Sequence, residues 1–164
     1  MPVDGEIEGC IHAEYARLVG AVSLVTDSPQ LAEEAVQEAF ARAWERTQRG
    51  HRFDHLAGWV ATVALNQARS GRRRRASERR TIERLAAASV VEIDDGAEVA
   101  MVVRSAVDGL PGRQRDAVVL YYLLDIDVAT TADLLRISEG TVKTALARAR
   151  QKLARVLGEQ ELEA

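Results

Sequence analysis

The chain is predicted to be all-α, two small helical domains joined by a linker, and three observations carry that expectation. Apolar residues recur at helical spacing through most of the 164 residues. The composition is poor in aromatics, at 4%, and favours the good helix formers Ala, Leu, Arg and Glu. The helical period lapses near the middle, in Val90-Val-Glu-Ile-Asp-Asp-Gly-Ala-Glu98, which is acidic and has no regular apolar face. The expected boundaries are a first domain over residues 10–87, a linker over 88–100 and a second domain over 101–158.

In the first domain, the helical pattern is interrupted only at Ser28-Pro29 and between Gly50 and Asp54. Between these breaks, Leu31-Ala-Glu-Glu-Ala-Val-Gln-Glu-Ala-Phe-Ala-Arg-Ala-Trp44 places Val36, Phe40, Ala43 and Thr47 on one face. Glu34, Gln37, Glu38 and Glu45 line another, an acidic stripe that would ordinarily be solvated surface. After the second break, Gly58-Trp-Val-Ala-Thr-Val-Ala-Leu-Asn-Gln-Ala-Arg-Ser-Gly-Arg-Arg-Arg-Arg75 begins apolar and turns basic. Arginines there suit both the negative end of a helix and a phosphate backbone. Trp59 reads as core, or as an aromatic on which an unpaired base could stack.

In the second domain, Gly109-Leu-Pro-Gly112 is a helix-to-helix turn and lacks the spacing of a phosphate loop. The segment from Asp125 to Leu153 then reads as two helices joined by a tight turn. Val128, Ala132 and Leu135 share a side of the first helix, while Val142, Leu146, Ala149 and Leu153 recur on the second. Ser138 is placed to cap the second helix. Its opposite side carries Glu139, Lys143, Thr144, Ala147, Arg148 and Gln151, small and long polar side chains that fit a DNA major groove. The reading is a helix-turn-helix.

Charge is unevenly spread behind a net value of −3. Residues 1–45 hold nine acidic side chains against Arg17 and Arg42, residues 69–84 eight arginines against Glu78 and Glu83, and residues 136–155 six basic side chains against Glu139. A protein that holds duplex DNA by itself is usually basic overall, because neutralised phosphates supply much of the affinity. This chain is expected to meet DNA with help. No run of about 18 apolar residues is present, so membrane insertion is not expected. The acidic start lacks a charged-then-apolar leader, and the expected location is cytoplasmic. Cys10 is alone, and with His12, His51 and His55 it forms no metal-spaced or triad-like set. No catalytic residue, metal or cofactor is expected.

Four motifs in order identify a resemblance that spans about residues 12–157: Glu34-Ala-Val-Gln-Glu-Ala-Phe40, Gly58-Trp-Val-Ala-Thr-Val-Ala-Leu-Asn66 with its arginine run, Leu110-Pro-Gly-Arg-Gln-Arg-Asp-Ala-Val-Val-Leu120, and Ile137-Ser-Glu-Gly-Thr-Val-Lys143 with Arg148-Ala-Arg150. Together they resemble the extracytoplasmic-function (group 4) sigma factors of the sigma-70 family. That resemblance implies a promoter-recognition subunit of RNA polymerase with region 2 and region 4 domains. It implies that Glu34, Gln37 and Glu38 dock on the β′ clamp helices of the core polymerase. Asn66 would read the −10 element, with Arg69, Arg72, Arg73, Arg74 and Arg75 on the adjacent backbone. Glu139, Gly140, Thr141, Lys143, Thr144 and Arg148 would read or hold the −35 duplex, the glycine allowing close approach. An anti-sigma factor is the further partner the resemblance implies.

The chain departs from the family pattern in three places. Glu34 stands where Asp is frequent. Thr130-Thr131-Ala132 replaces Glu-Ile-Ala, with a packing or capping interaction expected to be weaker. Ser70-Gly71 is expected to interrupt the basic helix. Two rival readings are a stand-alone helix-turn-helix regulator and a helical phosphotransfer protein using His12 or His55. The net acidity and the Glu34 to Phe40 motif oppose the first, and the two basic islands oppose the second.

Overall fold

The computed structural model describes the backbone of residues 2–26, 28–82, 101–102, 104–107 and 109–163, and within these the side chains of 5–26, 28–71, 101–102, 104–107, 109–156 and 158. The expected linker over 88–100 lies outside the described residues. Every element among those described is helical. The first half comprises α1 (Pro2–Ser23), α2 (Pro29–Gln48) and α3 (Leu56–Ile82), each packed against the other two. The second comprises α4 (Gly112–Val118), which continues into a π-helical turn (Val119–Leu123), then α5 (Val128–Leu135) and α6 (Glu139–Glu163).

Local chemistry sets the helix ends. Ser28 is extended, and its hydroxyl accepts from the Leu31 amide at 3.3 Å with Pro29 opening α2, the position where a missing amide hydrogen costs nothing. At the other end Gly50 takes φ +86°, so its amide and that of His51 can return to the carbonyls of Thr47 and Arg46. His55 starts α3: its Nδ1 accepts from the Gly58 amide at 2.9 Å. Asp127 caps α5 and Ser138 caps α6, their side chains accepting from the amides of Thr130 and Thr141.

The expected core faces are buried, except that Val128 of α5 and Leu153 of α6 are only partly so. Val36, Phe40, Ala43 and Thr47 are buried on α2, the first three in one core with Leu18 and Val22 of α1 and Val60 and Leu65 of α3. Val142, Leu146 and Ala149 are buried on α6 against Ala132 and Leu135 of α5. Each fully buried Val or Leu contributes about 1.5–3 kcal/mol relative to exposure. Burial does not stop at the domain boundary: the buried residues of both halves form one contiguous core. The halves approach closely at Gly58, where a Cβ would stand 2.6 Å from Leu134 Cδ1 and 3.2 Å from Ile126 Cδ1.

Two expectations fail. Helix α3 runs through Ser70-Gly71 to Ile82 without interruption. A helical glycine costs only about 1 kcal/mol, flanking arginines are good helix formers, and the Ser70 hydroxyl donates to the Asn66 carbonyl at 3.1 Å within the helix. The run from Arg72 to Arg75 therefore lies inside α3 and not at its end. The Thr130-Thr131 pair is not a weak point either. Thr130 donates to the Asp127 carboxylate through both amide and hydroxyl, at 2.8 and 2.9 Å, and Thr131 is fully buried with its hydroxyl directed at the Ile126 carbonyl.

Candidate functional site

The first candidate surface is the outer side of α2. Glu34, Gln37, Glu38 and Glu45 are all exposed on it, opposite the buried face. Gln37 Nε2 donates to the Tyr15 hydroxyl at 3.0 Å, tying the stripe to α1, and Glu38 pairs with Arg42 at 3.1 Å. Sequence reasoning passed over Trp44 on the edge of this face. It lies seven residues after Gln37 and is 50% exposed, an unusual position for the largest apolar side chain. Its spacing from Gln37 was the available signal.

The second surface is on α3. Asn66 is exposed. It lines a cavity of about 710 Å³ whose wall includes Trp59, Thr62, Phe53 and Arg46 from the first half and Arg113, Asp133 and Arg136 from the second. Trp59 is only partly buried, so it is neither plain core nor free. Phe53 packs on it with centroids 4.7 Å apart, the Arg46 guanidinium lies 5.3 Å from its ring centre, and His51 meets Phe53 edge-on at 4.6 Å. The Gly50 to His55 loop thus contributes two aromatic rings that its polar composition concealed.

Arg69 does not stand free on this surface. Its Nη2 is ion-paired with Asp116 Oδ2 of α4 and lies 3.5 Å from the Gly112 carbonyl, while Nη1 lies 3.5 Å from Asn66 Oδ1. Gly112 makes room for the guanidinium, since a Cβ there would be 3.0 Å from Arg69 Nε. The Asp116 side chain is 4% exposed. Burial pushes its carboxyl above the usual range, against the opposing pull of Arg69, Arg115 and Arg113. Arg72, Arg73, Arg74 and Arg75 belong to α3, but their side chains lie outside the described ones.

The third surface is the outer side of α6. Glu139, Gly140, Thr141, Lys143, Thr144 and Arg148 are all exposed. The Ser138 cap fixes the first turn, where its hydroxyl also bonds that of Thr141 at 2.8 Å, and Thr144 donates to the Gly140 carbonyl at 2.9 Å. Only Ser138 Oγ, at 3.8 Å, would neighbour a Cβ on Gly140, so the fold itself does not demand glycine there. Arg136, in the turn between α5 and α6, has φ +56° and points its end of the turn into the cavity wall.

The histidines stand apart. His12 is exposed with Nδ1 2.8 Å from the Glu8 carbonyl, His51 meets Phe53 edge-on, and His55 is a helix cap. Cys10 is partly buried, and burial, reinforced by Glu14 and Glu6, raises its thiol pKa to about 11. Among the described residues no three His, Cys, Asp or Glu side chains group to hold a metal ion. No described helix is long and apolar enough to cross a membrane.

Comparison with known proteins gives these surfaces a context. Residues 10–78 match the family Sigma-70 region 2, and residues 100–153 match Sigma-70, region 4. The chain is 34% identical over 148 residues to the ECF RNA polymerase sigma factor SigM of Mycobacterium tuberculosis, covering 90% of this chain and 73% of that protein. It is 30% identical over 135 residues to the protein of the same name in Bacillus subtilis, covering 79% and 81%. In fold it is similar to the sigma factor RpoE of Bartonella quintana, solved in complex with the anti-sigma factor NepR, with TM-score 0.71, 20% identity and coverage of 93% and 97%. It is likewise similar to CnrH, solved with the cytosolic domain of CnrY, with TM-score 0.69, 19% identity and coverage of 93% and 88%.

Proposed function

We propose, from the premise that the chain is an extracytoplasmic-function sigma factor of the sigma-70 family, that it assigns its three surfaces to three partners. The exposed face of α2, with Glu34, Gln37 and Glu38, docks on the β′ clamp helices of core RNA polymerase. On α3, Asn66 reads one base of the −10 element as an unpaired strand, where an amide both donates to and accepts from a base edge. Arg69 and Arg72 to Arg75 hold the adjacent backbone. Glu139, Gly140, Thr141, Lys143, Thr144 and Arg148 on α6 enter the major groove of the −35 duplex.

The observation that carries this reading is α6. Its six candidate residues are exposed together on a helix whose start is capped and whose other side is locked into the core. Recognition of this kind requires no covalent chemistry by the chain, no cofactor and no metal. Its place is the cytoplasm, where the polymerase and the promoter are. An anti-sigma factor completes the partner set, a role supported by the complex of the fold neighbour RpoE with the anti-sigma factor NepR. The stand-alone regulator is set aside, because residues 10–78 match Sigma-70 region 2.

Reconstitution with core polymerase and a promoter library tests the reading. The complex is expected to initiate from a subset of promoters that share two elements, one near −10 and one near −35. Tight, sequence-specific operator binding by the purified chain alone, with no polymerase-dependent initiation, refutes it.

A further inference from the structure

Arg150 is exposed on α6, and none of the contacts assigned to the −35 duplex uses it. It follows Lys143 by seven residues, two turns, so the two side chains leave the same flank of the helix about 10 Å apart along its axis. The guanidinium is held in place: Nη1 donates to the Tyr122 hydroxyl at 2.9 Å, from α6 across to the π-helical turn. Tyr122 is itself an unusual surface group, a large ring that is 41% exposed. Its backbone and ring are both fixed. Val119 and Leu120 of the same turn are fully buried, the Ile126 amide returns to the Leu120 carbonyl at 3.0 Å, and Tyr121 meets the Tyr122 ring edge-on with centroids 5.0 Å apart. Among the described residues no carboxylate pairs with Arg150.

We propose that Tyr122 and Arg150 form a phosphate-binding site for one strand of the −35 duplex, the arginine supplying the charge and the tyrosine its direction. The proposal rests on the assignment of α6 to the −35 element. Its physical basis is that the tether is neutral. A carboxylate in the place of Tyr122 would orient the guanidinium and cancel its charge, as Asp116 does for Arg69. A hydroxyl orients it and leaves the charge whole. Only Nη1 is engaged, so the remaining N–H groups of the fork are open to an anion, and the Tyr122 oxygen, used here as acceptor, keeps its own proton to donate to the same phosphate. Because the fork is already held, less side-chain freedom is lost when the phosphate arrives. The position along α6 fits as well. With the first turns of the helix at the base edges, a residue about 10 Å further on stands at the bank of a groove about 12 Å wide, where the phosphates lie. A contact of this kind carries no base information, so the site sets register and affinity for every −35 sequence alike.

The test uses the full chain bound to core polymerase, with promoter affinity measured across a salt series on a set of −35 variants. Arg150→Gln is expected to weaken binding about tenfold, the loss of one charge-assisted hydrogen bond, and to lower the slope of log affinity against log salt by about 1. The rank order of the −35 variants should stay as it is. Tyr122→Phe keeps the charge and removes the hydroxyl, so it is expected to keep the slope and lose affinity by about threefold. Arg150→Lys should restore the slope and not the full affinity, because an ammonium has no fork for the tyrosine to hold. Single methylphosphonates placed through the −35 duplex locate the contact: one position should weaken the wild type and leave Arg150→Gln unmoved. A slope and methylphosphonate profile in Arg150→Gln identical to the wild type overturn the proposal, as does a Tyr122→Phe variant of unchanged affinity. A changed rank order of −35 variants in Arg150→Gln also overturns it, since the arginine then contacts a base. Lys143→Ala separates the two levels of failure. If it weakens −35-dependent binding while Arg150→Gln does nothing, only the phosphate site falls; if binding of the wild type never depends on the −35 sequence, the assignment of α6 falls and takes the site with it.

Discussion

Charge reversal on α2, Glu34→Lys with Glu38→Lys, separates a docking surface from a structural one. Both side chains are on the exposed face, and the one ion pair involved, Glu38 with Arg42, joins groups 47% and 54% exposed. An exposed pair four residues apart on a helix contributes about 0.3–0.5 kcal/mol, and a like-charge pair in its place costs a similar amount. Glu34 lies beyond the first turn of α2, where the helix dipole is already weak. The total loss of stability is therefore under about 1 kcal/mol, a fall of roughly 2–4 °C in melting temperature for a chain of this size. Interface charges that lose a close partner typically cost about 2–5 kcal/mol, which is at least about a 30-fold loss of affinity for core polymerase. Competition binding to fluorescently labelled core polymerase, alongside thermal melts followed by circular dichroism, measures both quantities. A double variant that melts ten or more degrees lower shows the stripe to be structural. One that binds core polymerase as tightly as the wild type shows the docking assignment to be wrong.

Other outcomes follow from the same structure. Asn66→Ala should change base preference at one or two −10 positions, costing about 1–3 kcal/mol at the base it reads, whereas Lys143→Ala or Arg148→Ala should weaken initiation through the −35 element; a library randomised in both elements sinks the assignment if the Asn66→Ala profile shifts only at −35. Free protein should bind duplex promoter DNA weakly at physiological salt and form a specific complex once core polymerase is added, as a mobility-shift titration would show. Ser138→Ala removes the acceptor that caps α6 and should lower unfolding free energy by about 1 kcal/mol in urea titrations. With its thiol pKa raised to about 11, Cys10 should react slowly with iodoacetamide at neutral pH and accelerate steeply above the usual thiol range; rapid alkylation at pH 7 contradicts that burial.

Much of the fold was legible because it rests on local periodicity. Val36, Phe40, Ala43 and Thr47 form the inner face of α2 as their spacing requires, and Ser138 caps the helix that its position announced. The outward residues of α6 were readable for the same reason. What escaped depends on contacts between positions far apart in the chain. Nothing near Arg69 names Asp116, 47 residues away, as its partner, and nothing near Gly58 names Leu134. Ser70-Gly71 misled because a local breaker is a modest cost that a long helix absorbs. Thr131 misled because a polar residue in a family's apolar position reads as a defect until its burial beside Ile126 is seen.

The seat of Leu134 and Ile126 against Gly58 bears on how this molecule changes over generations. Two-domain factors look like interchangeable parts, free to recombine a reader of one element with a reader of another. Here a Cβ at position 58 would collide with a side chain of the opposite half at 2.6 Å. An exchanged C-terminal half must therefore bring apolar side chains that fill the space this glycine leaves and an anion that meets Arg69. Chimeras between relatives should sort by whether those positions match, and pairs of substitutions across the seam should be accepted together more readily than one at a time.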